Sequence, residues 1–289
     1  MASLKKRLPT NVTGDFYVDK TCINCGTCRF IAPDTFSDKD KKSRVSNQPE
    51  TEEQKHRALM AMISCPVSSI GTEEKYDLSK ALSSYPEPID KNVFHCGFHS
   101  KSSYGATSYL IKRPEGNIMV DSPRFVKVLA RQIEEMGGVK YMFLSHKDDV
   151  ADHRKYHEHF GCERIMHVDD LTKDTEDVER TIRGIEPVKL EQDMLIIPVP
   201  GHTKGSICLL YNDKYLFTGD HLAMNPNRSH PTAFNNHCWY SWEEQIKSMK
   251  KTAEYSFEWI LPGHSLRCYF PKDEMAEKMK MCVDWMEKN

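Results

Sequence analysis

Cys22-Ile-Asn-Cys25-Gly-Thr-Cys28 forms a C-x₂-C-x₂-C run, and Cys65-Pro66 stands far downstream of it. This pattern restricts the start of the chain more than any other feature. Three thiolates on one tight loop can hold three corners of an iron–sulfur cubane. The fourth must come from elsewhere in the fold, because one loop cannot surround a cluster. Gly26 lets backbone amides approach the sulfurs, and Pro66 stiffens the turn that presents Cys65. No other cysteine lies between Cys28 and Cys65, so one [4Fe–4S] cluster is the ceiling. A four-cysteine zinc site is the rival reading, but such sites usually arrive as two C-x₂-C pairs.

The stretch from Cys28 to Phe36 and the close Cys65-Pro-Val-Ser-Ser-Ile70 resemble a single-cluster bacterial-type ferredoxin, across about residues 15–72. The sequence departs from the two-cluster pattern in one place. Ala32 precedes Pro33 where a further cysteine would ligate a second cluster. The resemblance implies a small α+β domain over residues 1–82. Ser83-Ser-Tyr-Pro-Glu-Pro-Ile-Asp90 contains two prolines and few apolar residues, and reads as a linker over 83–90.

From residue 91 to 289 the pattern changes. Short β-rich runs at Thr107–Lys112 and Asn117–Asp121 precede a helical pattern at Phe125–Glu135 and a strand at Tyr141–Leu144. A helix is expected over Ala151–Phe160. Strands are expected at Arg164–His167, Met194–Val199, Ile207–Tyr211 and Tyr215–Thr218. A helix at Trp242–Tyr255 and a strand at Trp259–Leu261 complete the series. Alternating strands and helices predict a layered α/β domain. Met275, Met279, Cys282 and Met286 recur at helical spacing, which marks a core-packing stripe.

Ligand-capable residues gather at the ends of these strands. His146, Asp148, Asp149, Asp152 and His153 crowd eight positions after the strand at 141–144. His202, Asp220 and His264 each follow a glycine just past a later strand, and glycine permits the sharp turn that exposes the next side chain. A single Gly-His is usually a plain turn, but this ordered series is hard to explain as chance. Imidazoles with carboxylates suit zinc, iron or manganese.

Across about residues 92–270 this part resembles the metallo-β-lactamase fold, which implies an αββα four-layer sandwich with a metal site at one edge of its two sheets. Asp121 matches the early strand end, where that family has an Asp that supports the site. The family's His-x-His-x-Asp-His loop is altered here to His146-Lys-Asp148-Asp-Val-Ala-Asp152-His153, with two extra residues and Asp148 in place of the second His. The resemblance implies one metal on His146, Asp148 and His202, a second on Asp152, His153 and His264, and Asp220 bridging them. Asp149 is an alternative to Asp148. Zinc-dependent enzymes of this fold that hydrolyse penicillins carry Cys at the position of Asp220, so antibiotic hydrolysis is not the expected role.

The resemblance implies a metallo-hydrolase of esters, thioesters or lactones, with a metal-bound hydroxide as nucleophile and Asp152 orienting it. A non-haem iron redox enzyme acting on oxygen, nitric oxide or sulfur species, fed by the fused ferredoxin part, is the alternative. Expected cofactors are one [4Fe–4S] cluster and one or two divalent ions, zinc or iron. Expected partners are a small-molecule substrate and an electron-transfer protein. Lys+Arg 40 against Asp+Glu 42 gives a net charge of −2, which points to neither nucleic acid nor an anionic membrane. No apolar run approaches the roughly 20 residues of a membrane span. The basic start up to Pro9 lacks the apolar core of a secretory signal. A soluble protein of the reducing cytoplasm is expected.

Overall fold

The computed structural model describes residues 2–225, 227 and 229–289. It divides into two compact units. One comprises the chain up to Asn117, with Ser122–Val139 and Ala151–Phe160; the other comprises Ile118–Asp121, Lys140–Val150 and Gly161–Asn289.

In the first unit, β1 (Tyr17–Val18) pairs antiparallel with β4 (Ile70–Gly71), with Val18 opposite Ile70. This pairing brings the start of the cysteine loop close to the turn that carries Cys65. α1 (Thr27–Ile31) follows the loop, and β2 (Phe36–Lys39) and β3 (Lys42–Val45) form a hairpin. Asp40 and Lys41 at its tip both have positive φ, the backbone that a two-residue hairpin turn requires. α2 (Glu52–Ser64) opens on a capping box between Thr51 and Gln54. It ends at Cys65, so the helix itself aims the fourth thiol. Phe16, Val18, Ile31, Phe36, Val45, Ala58, Met60 and Ile70 form the buried apolar interior of this part.

α3 (Ser79–Ser83) leads into an antiparallel run of β5 (Glu87–Asp90), β6 (Val93–His95) and β7 (Tyr109–Ile111). Half of the segment read as a linker is therefore a strand. Pro88 is tolerated because β5 lies at a sheet edge, where a missing N–H costs no ladder bond. α4 (Lys127–Glu135) and α5 (His153–Phe160) complete the unit.

The second unit holds two sheets. β8 (Ile118–Val120), β9 (Tyr141–Phe143), β10 (Glu163–His167) and β11 (Arg180–Ile182) are parallel neighbours. β12 (Val188–Glu191), β13 (Met194–Pro198), β14 (Ile207–Tyr211) and β15 (Tyr215–Gly219) run antiparallel in sequence order. A small hairpin of β16 (Ala223–Met224) and β17 (Pro231–Thr232) and the helix α6 (Trp242–Thr252) come next in the chain. β18 (Trp259–Pro262) then pairs parallel with β15, and β19 (Cys268–Tyr269) closes that edge. β14 and β15 are buried along their whole length, which their unbroken apolar runs anticipate.

The terminal helix α7 (Lys272–Met286) buries Met275, Met279, Cys282 and Met286, as the helical spacing predicts. They share a core with Ile197, Leu210, Leu216, Met249 and Ile260. This interior fixes the strand ends at which the polar residues collect. No helix among the described residues is long and apolar enough to cross a membrane.

Candidate metal centres

In the first unit Cys22, Cys25, Cys28 and Cys65 line one pocket together with Val18, Ile23, Pro66 and Ile70. The residues present fit an iron–sulfur cluster. The backbone N–H of Asn24 points at Cys22 Sγ from 3.4 Å, and that of Ser69 at Cys65 Sγ from 3.3 Å. Such donors stabilise negative charge on cluster sulfurs and raise its potential. Burial pushes the Cys28 thiol up to about 12 and the Cys25 thiol up as well. Four crowded thiols of this kind become thiolates when a cationic cluster compensates the charge.

In the second unit five strand ends converge. The Asp121 carboxylate, past β8, accepts the Ser145 N–H at 2.8 Å and the Ser145 hydroxyl at 2.9 Å. The Ser145 hydroxyl in turn accepts His146 Nδ1–H at 2.9 Å. This short chain fixes the tautomer of His146 and leaves its Nε2 lone pair facing inward. Burial raises Asp121 to about 7 against the pull of the Ser145 bonds.

His146 and His202 stand edge to face, with ring centroids 4.8 Å apart. His146, Asp148 and His202 place ligand atoms within 4.8 Å of one another, and so do His146, Asp149 and Asp220. Asp220 Oδ2 lies 3.9 Å from His146 Nε2, 3.7 Å from His202 Nε2 and 3.9 Å from His264 Nε2. His264 Nε2 is also 3.8 Å from Asp149 Oδ1. These separations exceed hydrogen-bond length, yet they suit groups facing a shared cation.

The clearest sign of fit is the set of orphaned atoms. His146 Nε2, His202 Nε2, Asp149 Oδ2 and Asp220 Oδ1 are buried without a hydrogen-bond partner. Leaving such groups unpaired costs about 1–3 kcal/mol each, more for charged ones, so the arrangement favours a bound group that pairs with them. Gly263 makes room for it: a Cβ there would come within 2.6 Å of Asp149 Oδ2 and 3.0 Å of Asp220 Oδ1.

The charges agree. Burial and the neighbouring carboxylates Asp220, Asp121 and Asp148 hold Asp149 well above the usual carboxylate range. Burial disfavours charge on Asp220, yet His264, His146 and His202 hold its carboxyl below the usual range. Burial, with a smaller push from His202, brings His146 down to about 4 against the pull of Asp220, Asp148 and Asp170. Burial also opposes charge on His202, but Asp148 and Asp220 outweigh it and lift the imidazole above its ordinary range. Both shifts favour the protonated forms of Asp149 and His202, with which a cation has to compete. Metal affinity is expected to fall as pH falls. Calorimetric titrations in buffers of different ionisation enthalpy should show net proton release on loading.

Asp152 and His153 join neither gathered group. Asp152 immediately precedes α5, and its carbonyl accepts the N–H groups of Lys155 and Tyr156. Its carboxylate accepts the Phe125 N–H at 2.8 Å and pairs with Lys155 at 2.8 Å. Both carboxylate oxygens are thus engaged, and that engagement competes with metal ligation. His153 is buried as the first residue of α5.

Asp170 is missed by the spacing of motifs. It is buried after β10, where its Oδ2 accepts the Lys147 N–H at 3.0 Å and the Thr203 hydroxyl at 2.5 Å. Its Oδ1 accepts the Gly205 N–H at 2.8 Å. One carboxylate thus ties the His146 loop to the His202 loop. No ligand-like neighbour in the sequence marks it, since its role is made by distant loops. Asp170→Asn places an amide opposite donors and is expected to weaken metal binding by about 10–100-fold. Competition with a chromophoric chelator checks this, and unchanged affinity would remove Asp170 from the support of the site.

His221 is turned inward. Its Nδ1 accepts from Gln245 Nε2 at 2.9 Å and its Nε2 lies 3.2 Å from Thr252 Oγ1, while burial holds it down at about 3. Within the loop at 225–239, Pro226 and Arg228 lie outside the described residues. His230 Nδ1 lies 2.8 Å from the Pro231 carbonyl, and the His237 ring packs against Trp239 with centroids 5.7 Å apart. Trp239 donates its backbone N–H to the His202 carbonyl at 2.8 Å, yet its side chain is exposed, and its ring lies 6.2 Å from that of His202.

Residues 18–72 match the family described as the 4Fe-4S single cluster domain of Ferredoxin I. A curated hydroxyacylglutathione hydrolase of Rhizobium etli is 28% identical over 147 residues, or 47% of this chain. The match covers 53% of that relative, so the chain spans about half the length of the curated relative it matches. Among solved structures, TMB-1 superposes with a TM-score of 0.55 at 16% identity, covering 70% of this chain and 97% of that one. The metallo-β-lactamase FIM-1 of Pseudomonas aeruginosa in its mono-zinc form gives a TM-score of 0.51 at 14% identity, covering 68% and 93%. The chain thus has the metallo-β-lactamase fold, built around a strand-end cluster of histidines and aspartates. It joins this fold to a single-cluster 4Fe-4S ferredoxin domain.

Proposed function

We propose that the chain is a metal-dependent hydrolase of a small ester, thioester or lactone, and that its cations are held by His146, Asp148, Asp149, His202, Asp220 and His264. The observation that carries this reading is the convergence of orphaned, buried imidazole and carboxylate atoms on one spot. The hydrolase name of the Rhizobium etli relative supports it. Divalent cations bound there supply Lewis acidity and make hydroxide available near neutral pH.

The residues of the chain perform the rest. In this reading Asp149, in place of Asp152, is both a ligand and the group that orients the attacking water. Asp121 and Ser145 hold His146 in the tautomer that offers Nε2. Asp220 would help to hold both cations, and His264 would help to hold one. Water adds to the acyl carbon, the bond from that carbon to oxygen or sulfur breaks, and an acid and an alcohol or thiol leave. Trp239, held open beside His202, offers an apolar face for the substrate's acyl group. Trp239→Ala is expected to raise KM by about tenfold with little change in kcat, since it removes binding that ground state and transition state share. Steady-state kinetics on aryl esters of graded acyl length measure this.

The fused cluster favours a second reading, a non-haem iron centre supplied with electrons. Three carboxylates in the ligand set make it hard enough to accept iron. The deciding experiment assays zinc-loaded and iron-loaded protein, with and without the cluster, for hydrolysis and for oxygen or nitric oxide reduction. Hydrolysis by the zinc form that survives loss of the cluster is the expected result. Turnover of oxygen or nitric oxide only by the iron form with its cluster intact would reverse the assignment.

The cluster has its own test. Cys25→Ser is expected to abolish the visible absorption of the reconstituted protein while leaving the metal content of the second unit in place. A fully coloured variant would refute the assignment of Cys25.

A further inference from the structure

A buried histidine pair in the first unit has no part in the hydrolysis. His95 ends β6 and His99 follows four residues later; both are buried, with Nε2 atoms 3.0 Å apart. His99 Nδ1 is 2.8 Å from the Gly105 carbonyl oxygen. A carbonyl only accepts, so this nitrogen carries a proton. His95 Nδ1 faces Glu87 Oε2 at 3.5 Å. Burial opposes ionisation of Glu87, but His95 and Arg57 together hold it down at about 2, so it is an anion at neutral pH. An anion, too, only accepts. The Nε2–Nε2 link needs one further proton, because two lone pairs at that distance repel. All three links are satisfied only when the two rings share three protons, and hence one positive charge. The charge sits on His95 or on His99, and the two forms differ by one proton moved across the 3.0 Å link.

The pair reaches the cluster loop through Gly105. The Gly105 carbonyl also accepts from Thr27 Oγ1 at 3.3 Å, and Thr27 Oγ1 lies 3.3 Å from Cys25 Sγ. Gly105 has φ +85°, and a Cβ on it would come within 2.7 Å of Cys25 Cβ and 3.0 Å of its sulfur. This backbone is therefore in contact with a cluster ligand, and only glycine fits there. Glu87 on β5, Arg57 on α2 through Glu87, Tyr109 opposite His95 on β7, and the Tyr85 ring edge-on at 5.5 Å surround the pair. Of these, Glu87 and Arg57 carry charge at neutral pH.

We propose that His95 and His99 form a proton-shift pair that stabilises the reduced cluster. A low-potential one-electron donor gives its electron to the cluster, and the shared proton moves from His95 Nε2 to His99 Nε2. No bond to iron is made or broken, and the proton stays within the pair. Positive charge moves one ring closer to the added negative charge. Where pH has stripped the shared proton from the oxidised protein, reduction must draw one from solvent, so the midpoint potential falls as pH rises.

The test is a redox titration of the reconstituted full-length chain across pH, followed by visible absorption and electron paramagnetic resonance. His99→Gln keeps an amide donor for the Gly105 carbonyl but cannot hold the charge. It is expected to make reduction at least tenfold less favourable and to flatten the pH profile. His95→Gln, one ring farther from the cluster, is expected to do the same and decides alone if His99→Gln loses its iron. An intact cluster with unchanged potential and pH slope in the variants overturns the proposal. A wild-type chain that takes up no cluster overturns it together with the cluster assignment, and leaves the hydrolase reading of the second unit intact.

Discussion

Replacing Asp220 by Ala is expected to empty both cation positions and to lower hydrolysis by at least about 10³-fold. The magnitude follows from the Lewis-acid contribution of several kcal/mol, at about 1.36 kcal/mol per decade of rate. Its Oδ2 lies within 3.9 Å of three imidazole nitrogens, those of His146, His202 and His264. His264→Ala should do less, because His264 is proposed to serve one ion. Metal analysis of the two variants beside the wild type measures the difference. If Asp220→Ala keeps full occupancy at both positions, the shared role is wrong.

The same experiment has a built-in control for folding. Asp220 follows β15, whose pairing with β14 and β18 is made by backbone and by buried apolar side chains. Removing the carboxylate leaves that interior untouched and relieves crowding among buried carboxylates. Loss of metal without loss of the thermal transition is therefore the expected pattern.

Much of this arrangement is legible in the sequence, for physical reasons that differ by element. β14 matches its expected limits, Ile207–Tyr211, because a buried strand between turn residues has to be an unbroken apolar run. The stripe of Met275, Met279, Cys282 and Met286 is legible because one face of α7 must be apolar to meet the sheet. Glycines before His202, Asp220 and His264 mark strand ends, since sharp exits need them. β5 is misread because Pro88 signals a break, and only the sheet order shows that it lies on an edge. Residues 100–106 cannot be assigned to the cluster from sequence either. Gly105 is brought against Cys25 and Tyr104 donates its hydroxyl to the Ile23 carbonyl, both by contacts long-range in the chain. The surroundings of the cluster thus extend past the expected limit at residue 82. Asp170 is illegible for the same reason, being defined by the loops it joins.

The crowded ligand loop gives the second large effect. In the run His146-Lys-Asp148-Asp149-Val-Ala-Asp152-His153, spacing alone favours Asp152 as the ligand beside a histidine, while the fold gives it another task. Asp152 has both oxygens engaged, by the Phe125 N–H and by Lys155. Asp149 has Oδ2 buried with no partner and Oδ1 facing His264. Asp149→Ala is therefore expected to lose one cation and to lower kcat by about 10²–10³-fold, the scale on which loss of a preorganised polar group acts. Asp152→Ala should keep its metal and lose about 1–3 kcal/mol of stability, the range for losing a hydrogen bond to a charged acceptor, here the one from the Phe125 N–H. Metal analysis, kcat and thermal unfolding of the pair separate the two roles, because each variant moves a quantity that the other leaves alone. Asp152→Ala stripped of metal, with Asp149→Ala still loaded, would return the second cation to Asp152 and His153. It would also mean that the loop opens at α5 when metal binds, releasing the Phe125 N–H and Lys155.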